Sequence, residues 1–358
     1  NPTGSPSFLY RSVRNCYFSA FFLYICPWDR ELFYDKTMTE LSNTALIRAI
    51  YAHTPPDSTP ASVLMDVLNI GREAAYRRMR GEVRFTFGEA SALSAHLRFS
   101  LDGVTGSSVG GNALFSLAFT EFDASLDLYN GILEQNIRFF REIASDPTAV
   151  FASAVNSIPA EYYLKYENLT RFKLFKSLYQ HEMGDVSVPT FEELQLSASL
   201  RRNALEYVQS VQLVPQSHVI FDGSAFMHWV NAIRAFRAMH LISDQSVALL
   251  KEELFELVKD SEKMAGEGEY ENGNRVNFYL SEVDLEASYA YISSERYKVA
   301  GIALFSLNSM HTFDPMMYEY VKKWVRNQRR FASLISGTGE LSRIHHFKRQ
   351  REILGRLE

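Results

Sequence analysis

Cysteine is almost missing from this sequence. Its 358 residues hold two, Cys16 and Cys26, and none follows. A disulfide framework or a cysteine-ligated zinc site is therefore excluded beyond residue 26, a pattern that a reducing compartment permits. Long hydrophobic runs are missing too. The apolar run from Tyr17 to Cys26 is too short to cross a bilayer, so no membrane partner is expected and a cytoplasmic location is. Catalytic signatures are equally scarce. There is no HExxH, no P-loop, no GxGxxG after a strand and no GxSxG. His345-His346 has no carboxylate or cysteine at ligand spacing and reads as a polar helix face, while His228 and His240 read as ordinary helix histidines. No catalytic residue, metal or cofactor is expected. No repeat of fixed period is found either, which argues against stacked helix-pair repeats.

What is present is unevenly charged. The net charge of −5 is modest, but the chain is polarised. Residues 38–104 carry seven Arg and seven acids, residues 105–320 sixteen Lys/Arg and twenty-nine acids, and residues 321–358 ten Lys/Arg and three acids. An acidic middle is repelled by nucleic acid, whereas local arginine clusters elsewhere are not. Apolar residues make up 46% and aromatics 13%, enough for a sizeable core, and the length suits two domains.

Residues 1–37 stand apart. Arg11 and Arg14 precede the apolar run as in a signal peptide, but Trp28-Asp29-Arg30-Glu31 follows where a small-residue cleavage site is needed. Residue 1 is not Met, and Met38 sits just before the first clear helix. The segment reads as a leader, with a natural start at Met38. A genuine ordered extension is the alternative.

From residue 39 the pattern is a series of short helices. Leu41, Ala45, Leu46 and Ile50 recur at helical spacing until His53-Thr54-Pro55-Pro56 stops the first. Thr59 then caps a second helix with Pro60 at its first position. Asn69-Ile70-Gly71 makes a short turn, and a third helix runs from Arg72 to Arg80 with Gly81 as a left-handed stop. Thr86 and Glu89 form a capping box opening a fourth helix, expected to bury Phe87, Ala90, Leu93 and Leu97. A fifth is expected from Ser100. Two such helices joined by a three-residue turn make a helix-turn-helix. The window 72–84 holds five Arg against Glu73 and Glu82. Arginine's planar fork suits guanine edges and phosphates.

Residues 59–104 resemble the Cro/C1-repressor (XRE-like) helix-turn-helix family. Leu64 to Ile70 is similar to that family's second helix and turn, Gly81 to the glycine closing its recognition helix, and Leu93 to Asp102 to its closing segment. The chain departs from the pattern at Asn69 and Arg98, where the family usually has Gly, and two rotations of the third helix stay open. If Ala75 and Met79 pack inward, Arg72, Glu73, Tyr76, Arg77 and Arg80 share the outer side. The resemblance implies double-stranded DNA as partner, with Arg72, Glu73, Tyr76, Arg77 and Arg80 on its reading face and Arg84 at the backbone.

Thr105 to Asn112 reads as a flexible linker. The domain from 113 to 358 reads as mostly helical, with helices near 127–143, 162–179, 192–211, 225–239, 246–264, 315–334 and 340–357. Strands near 275–307 suggest a small antiparallel sheet. The expected architecture is thus mainly α: a five-helix lambda-repressor-like head, residues 38–104, and a larger α+β domain for oligomerisation and sensing. Lys322, Lys323, Arg326, Arg329 and Arg330 share one helix, either to meet DNA phosphates or to pair with the acidic middle. The leading expectation is a dimeric transcription regulator with an unidentified effector. A protein–protein adaptor using the helix-turn-helix is the alternative, and an enzyme with a DNA-targeting head the third.

Overall fold

The computed structural model of the chain describes residues 36–55, 58–97, 99, 101, 104, 115–117, 126–181, 188–304 and 307–357. The leader, residues 36 and 37 aside, and the linker 105–112 lie outside the described residues. The chain divides into two compact units, Asn1–Gly106 and Ser107–Glu358.

The first unit contains helices α1 (Lys36–His53), α2 (Pro60–Leu68), α3 (Arg72–Met79) and α4 (Phe87–Leu97). Of the fifth expected helix, only Leu101 and Val104 are among the described residues. Thr59 starts α2 through a reciprocal pair: its Oγ1 accepts from the Ser62 N–H at 3.1 Å, and Ser62 Oγ accepts from the Thr59 N–H at 3.1 Å. Pro60 follows at the one place where its missing N–H costs nothing. The core is made by Ile50, Leu64, Ala75 and Leu93, one from each helix and all fully buried. Burying each large aliphatic side chain contributes about 1.5–3 kcal/mol. Phe87 departs from expectation. It is 83% exposed, because it begins α4 on the outer side, and Phe85 packs against the core instead.

The second unit corrects the expected small antiparallel sheet. Its sheet has eight strands in the order β1-β7-β6-β5-β2-β3-β4-β8: β1 (Ser116–Leu117), β2 (Val150–Val155), β3 (Gln216–Asp222), β4 (Arg275–Ser281), β5 (Tyr289–Ser293), β6 (Lys298–Leu304), β7 (Asn308–Thr312) and β8 (Ala332–Leu334). It is mixed. β2 pairs with β3 and β3 with β4 in parallel, and the other neighbours are antiparallel. Parallel neighbours need long crossovers. α6 (Ala160–Tyr163), α7 (Glu167–His181) and α8 (Ala198–Gln212) join β2 to β3, and α9 (Ala225–Ala238) and α10 (Asp244–Glu267) join β3 to β4. Strands buried on both faces lose the apolar–polar alternation that marks half-exposed ones. Val150 to Val155 and His218 to Phe221 carry no such signal, so these two strands escape a search for period two. The helix expected over 315–334 also ends early: α11 (Pro315–Gln328) gives way to a short turn and β8.

Phe172, Phe175 and Phe191 gather with Val219 and Phe278 against one face of the sheet. α5 (Asp127–Ala144) and α8 extend that layer through Phe140 and Val211. α11 covers part of the other face, setting Tyr318, Val321 and Val325 on Ala152, Ala154 and Ile220. α12 (Glu340–Leu354) packs on α10 and α9. Among the described residues, no helix is long and apolar enough to cross a membrane.

Tyr318 is fully buried, and its hydroxyl has no hydrogen-bond partner among the described residues. A buried unpaired hydroxyl costs about 1–3 kcal/mol. Tyr318→Phe is therefore expected to hold or raise the melting temperature, whereas Tyr318→Ala lowers stability by about 3–5 kcal/mol. A clear loss of stability in the Phe variant, measured by thermal unfolding, would count against this account of the core.

Candidate nucleic-acid interface

The turn between α2 and α3 depends on Asn69, which adopts the left-handed conformation with φ 51° and ψ 48°. That conformation costs most L-residues about 1–2 kcal/mol, and Asn is one of the few side chains that visits it routinely. The departure from Gly at this position therefore keeps the turn intact. Gly71 then starts α3 in an extended conformation.

Gly81 ends α3 with φ 78°. Its N–H bonds the Arg78 carbonyl at 2.9 Å, and the Glu82 N–H bonds the Arg77 carbonyl at 2.9 Å. This double closure satisfies two orphan carbonyls and turns the chain sharply towards α4. On α1, Asn43 Oδ1 accepts from the Phe85 N–H at 3.2 Å and ties the following loop down.

Ala75 and Met79 are the buried residues of α3, which selects one of the two rotations. Arg72, Glu73, Tyr76, Arg77 and Arg80 are all exposed, and so is Arg84 beyond the turn. The Arg72 guanidinium lies 5.6 Å from the centre of the Tyr76 ring. Arg80 Nε donates to Glu82 Oε1 at 2.6 Å, and its Nη2 reaches Glu73 Oε1 at 3.4 Å. Arg77 Nε stands 3.6 Å from Glu82 Oε2. The Arg80 hydrogen bond, ahead of the opposing desolvation, holds the Glu82 carboxyl below its ordinary value. Exposed pairs of this kind contribute about 0–1 kcal/mol each, so these arginines can exchange a carboxylate for a phosphate at little cost.

Arg78 has a different role. Its Nη2 donates to Glu89 Oε1 at 2.7 Å with both side chains largely buried. Glu89 Oε2 accepts from the Thr86 N–H at 2.9 Å, while Thr86 Oγ1 accepts from the Glu89 N–H at 3.2 Å. One carboxylate thus caps α4 and clamps α3 to it. Desolvation works against the Glu89 charge, but Arg78 and Thr86 outweigh it and hold the carboxyl below its usual range. Sequence reasoning passed over Arg78 as a clamp. The signal was the overlap of the Thr86–Glu89 box with an arginine eleven residues before Glu89.

The chain matches no protein-family model, no curated protein and no solved structure. What the site can do rests on its own geometry. In the second unit, the residues singled out by sequence do not gather into a comparable site. His346 is buried against Phe347 rather than lying on a polar helix face, and burial, with Arg349 adding to it, pushes it down to about 4. Of the basic residues expected on one helix, Lys322 of α11 meets Glu319 of its own helix at 4.0 Å, while Arg329 and Arg330 fall in the short turn after α11, with Arg329 5.0 Å over the Tyr279 ring. A further pairing with the acidic middle comes from α12, where Arg351 meets Glu262 of α10.

Two outcomes are expected here. Asn69→Val should lower protection of the Leu64 and Leu93 amides in hydrogen exchange by about 1–2 kcal/mol, while Asn69→Gly preserves it. Equal effects of the two would contradict the left-handed turn. The second concerns pH. Because the Glu89 value is depressed on folding, its contribution is present above the ordinary carboxylate range and is lost as pH falls through the depressed value. The stability gap between wild type and Glu89→Gln should therefore be open at neutral pH and close in acid. A gap that widens in acid would refute the clamp.

Proposed function

We propose that the chain is a sequence-specific, dimeric DNA-binding transcription regulator that enters the major groove with α3. The observation carrying this reading is the outer face of α3, where Arg72, Arg77 and Arg80 stand exposed, Arg77 and Arg80 in exposed pairs with Glu82 and Arg80 also with Glu73, while Ala75 and Met79 hold the helix from behind. An eight-residue helix spans about 12 Å, a length that fits a groove about 12 Å wide. Arg84, exposed beyond the turn, is assigned to the sugar-phosphate backbone. A cytoplasmic location follows from the same reading.

Dimerisation follows from the small number of base pairs one short helix can read, since two half-sites about 34 Å apart raise specificity. For the second copy we assign the outer face of α11, where Met316, Tyr320 and Trp324 are exposed together with the neighbouring Phe313 and Phe331. The second unit then carries oligomerisation and sensing.

A protein–protein adaptor remains the competing reading, and one observation favours it. Phe87 at the start of α4 is exposed, as is Tyr76 at 39%, and aromatic residues of this kind suit a protein contact.

Selection of bound fragments from a genomic library by the intact chain, followed by gel shifts, tests the proposal. Arg77→Ala and Arg80→Ala are each expected to weaken operator binding by about 1–3 kcal/mol, and Arg84→Ala to weaken all sequences alike and flatten the salt dependence. No enriched sequence, or unchanged binding in both Arg77 and Arg80 variants, would sink the regulator reading. Loss of a captured protein partner on Phe87→Ser would then support the adaptor.

A further inference from the structure

The second unit carries a solvent-open pocket of about 580 Å³ against its sheet. Its floor is paved with small residues. Ser153 of β2, Ala290 of β5 and Gly301 of β6 stand directly opposite one another across three neighbouring strands, and direct partners share a face. Larger side chains there would fill the space, as the close packing of protein interiors ordinarily requires. The walls are aromatic, with Tyr129 and Phe139 from α5, Tyr163 from α6 and Tyr207 from α8.

Into this pocket, where Gln135, Asn136, Lys173 and Asn308 join the aromatic walls, α6 carries an acid. Glu161 is 6% exposed, and its Oε1 has no hydrogen-bond partner among the described residues. Ser153, 2% exposed on the floor, has an unpartnered Oγ as well. Buried polar atoms are almost always paired, and one left alone calls for a missing partner. Three such atoms line one cavity, the third being Asn308 Nδ2 of β7, a donor suited to an acceptor atom on the occupant. The Tyr129 and Tyr163 hydroxyls bond each other, so their rings, and not their hydroxyls, are what they offer an occupant.

We propose that this cavity binds a small organic cation, an ammonium group on an apolar or aromatic body, with Glu161 as counter-ion and Ser153 as a second polar contact. The chemistry of the pocket fits that class. Tyrosine faces attract cations through the ring quadrupole. A carboxylate inside such a ring of aromatics adds the full charge. Burial pushes Glu161 up to about 7, and a cation beside it favours the ionised form. Two other titratable groups face the same space. Burial, with Lys176 nearby, pushes Lys173 of α7 down to about 8, and burial pushes His311 of β7 below its ordinary value. His311 is held towards its uncharged form, and the repulsion of a cation by Lys173 weakens only as pH rises through about 8. The site lies within the second unit and stands whether or not the first unit reads DNA.

Calorimetric titration of the full chain without DNA tests it, with 2-phenylethylammonium as the probe and 2-phenylethanol and 3-phenylpropanoate as its neutral and anionic counterparts. At pH 8 the ammonium should bind at least ten-fold tighter than the alcohol, and the carboxylate not at all. Glu161→Gln should remove that preference while leaving the alcohol unchanged. Ala290→Leu, which fills the floor, should remove both. Should a variant unfold, the wild-type pH profile decides: ammonium affinity should rise about ten-fold from pH 6 to pH 8 as Glu161 ionises, and alcohol affinity should not. No binding of any probe, no preference for the ammonium, a flat profile, or an unaltered preference in a folded Glu161→Gln variant would each overturn the proposal.

Discussion

The basic face of α3 exists because Ala75 and Met79 are buried and Arg78 is clamped. Those three residues occupy the inner side of a helix only eight residues long. They leave Arg72, Arg77 and Arg80 nowhere to go but outward. The clamp on Glu89 matters most, because the same carboxylate starts α4. Loss of that ion pair would loosen the angle between the two helices and the fraying end of α4 together. A short helix has little stability of its own, so its orientation must come from neighbours. Here it comes from a small aliphatic core and one largely buried charge pair.

The same principle, a backbone geometry that dictates what can be buried, shapes the second unit. Parallel strands at the centre of the sheet require crossover helices, and those helices bury one face under a thick aromatic layer. The antiparallel strands β5, β6 and β7 extend the sheet beyond that layer. There the floor residues are Ala290 and Gly301, and the space above them is bounded by tyrosines instead of filled by them. A cavity in that place, holding an unpaired carboxyl, is a departure from close packing that stability alone does not explain. The contrast with Asp222 at the end of β3 is instructive. That carboxylate accepts from the Ser224 N–H and hydroxyl and from the Leu285 N–H, so its bonding is complete within the fold.

Much of the first unit could be read from residue order. Thr59 before Pro60, Gly81 after Arg80, and Thr86 three residues before Glu89 are local signals, and local signals act through backbone hydrogen bonds a few residues apart. The polarised charge and the near absence of cysteine were equally plain. The rotation of α3, the exposure of Phe87 and the role of Arg78 were not, because each depends on which residues of another helix face it. In the second unit the helices announced themselves by their period, but the central strands β2 and β3 did not, since burial on both faces erases alternation. Glu161 and Ser153 lie 8 residues apart in sequence and carry no motif. Only the pairing of β2 with β5, and the placing of α6 above them, brings an acid, a hydroxyl and a set of tyrosines around one space. In the first unit sequence alone indicated where α2, α3 and α4 start, because capping is local. The tertiary structure decided which side chains face outward and which surround a void, because those depend on contacts made across the fold.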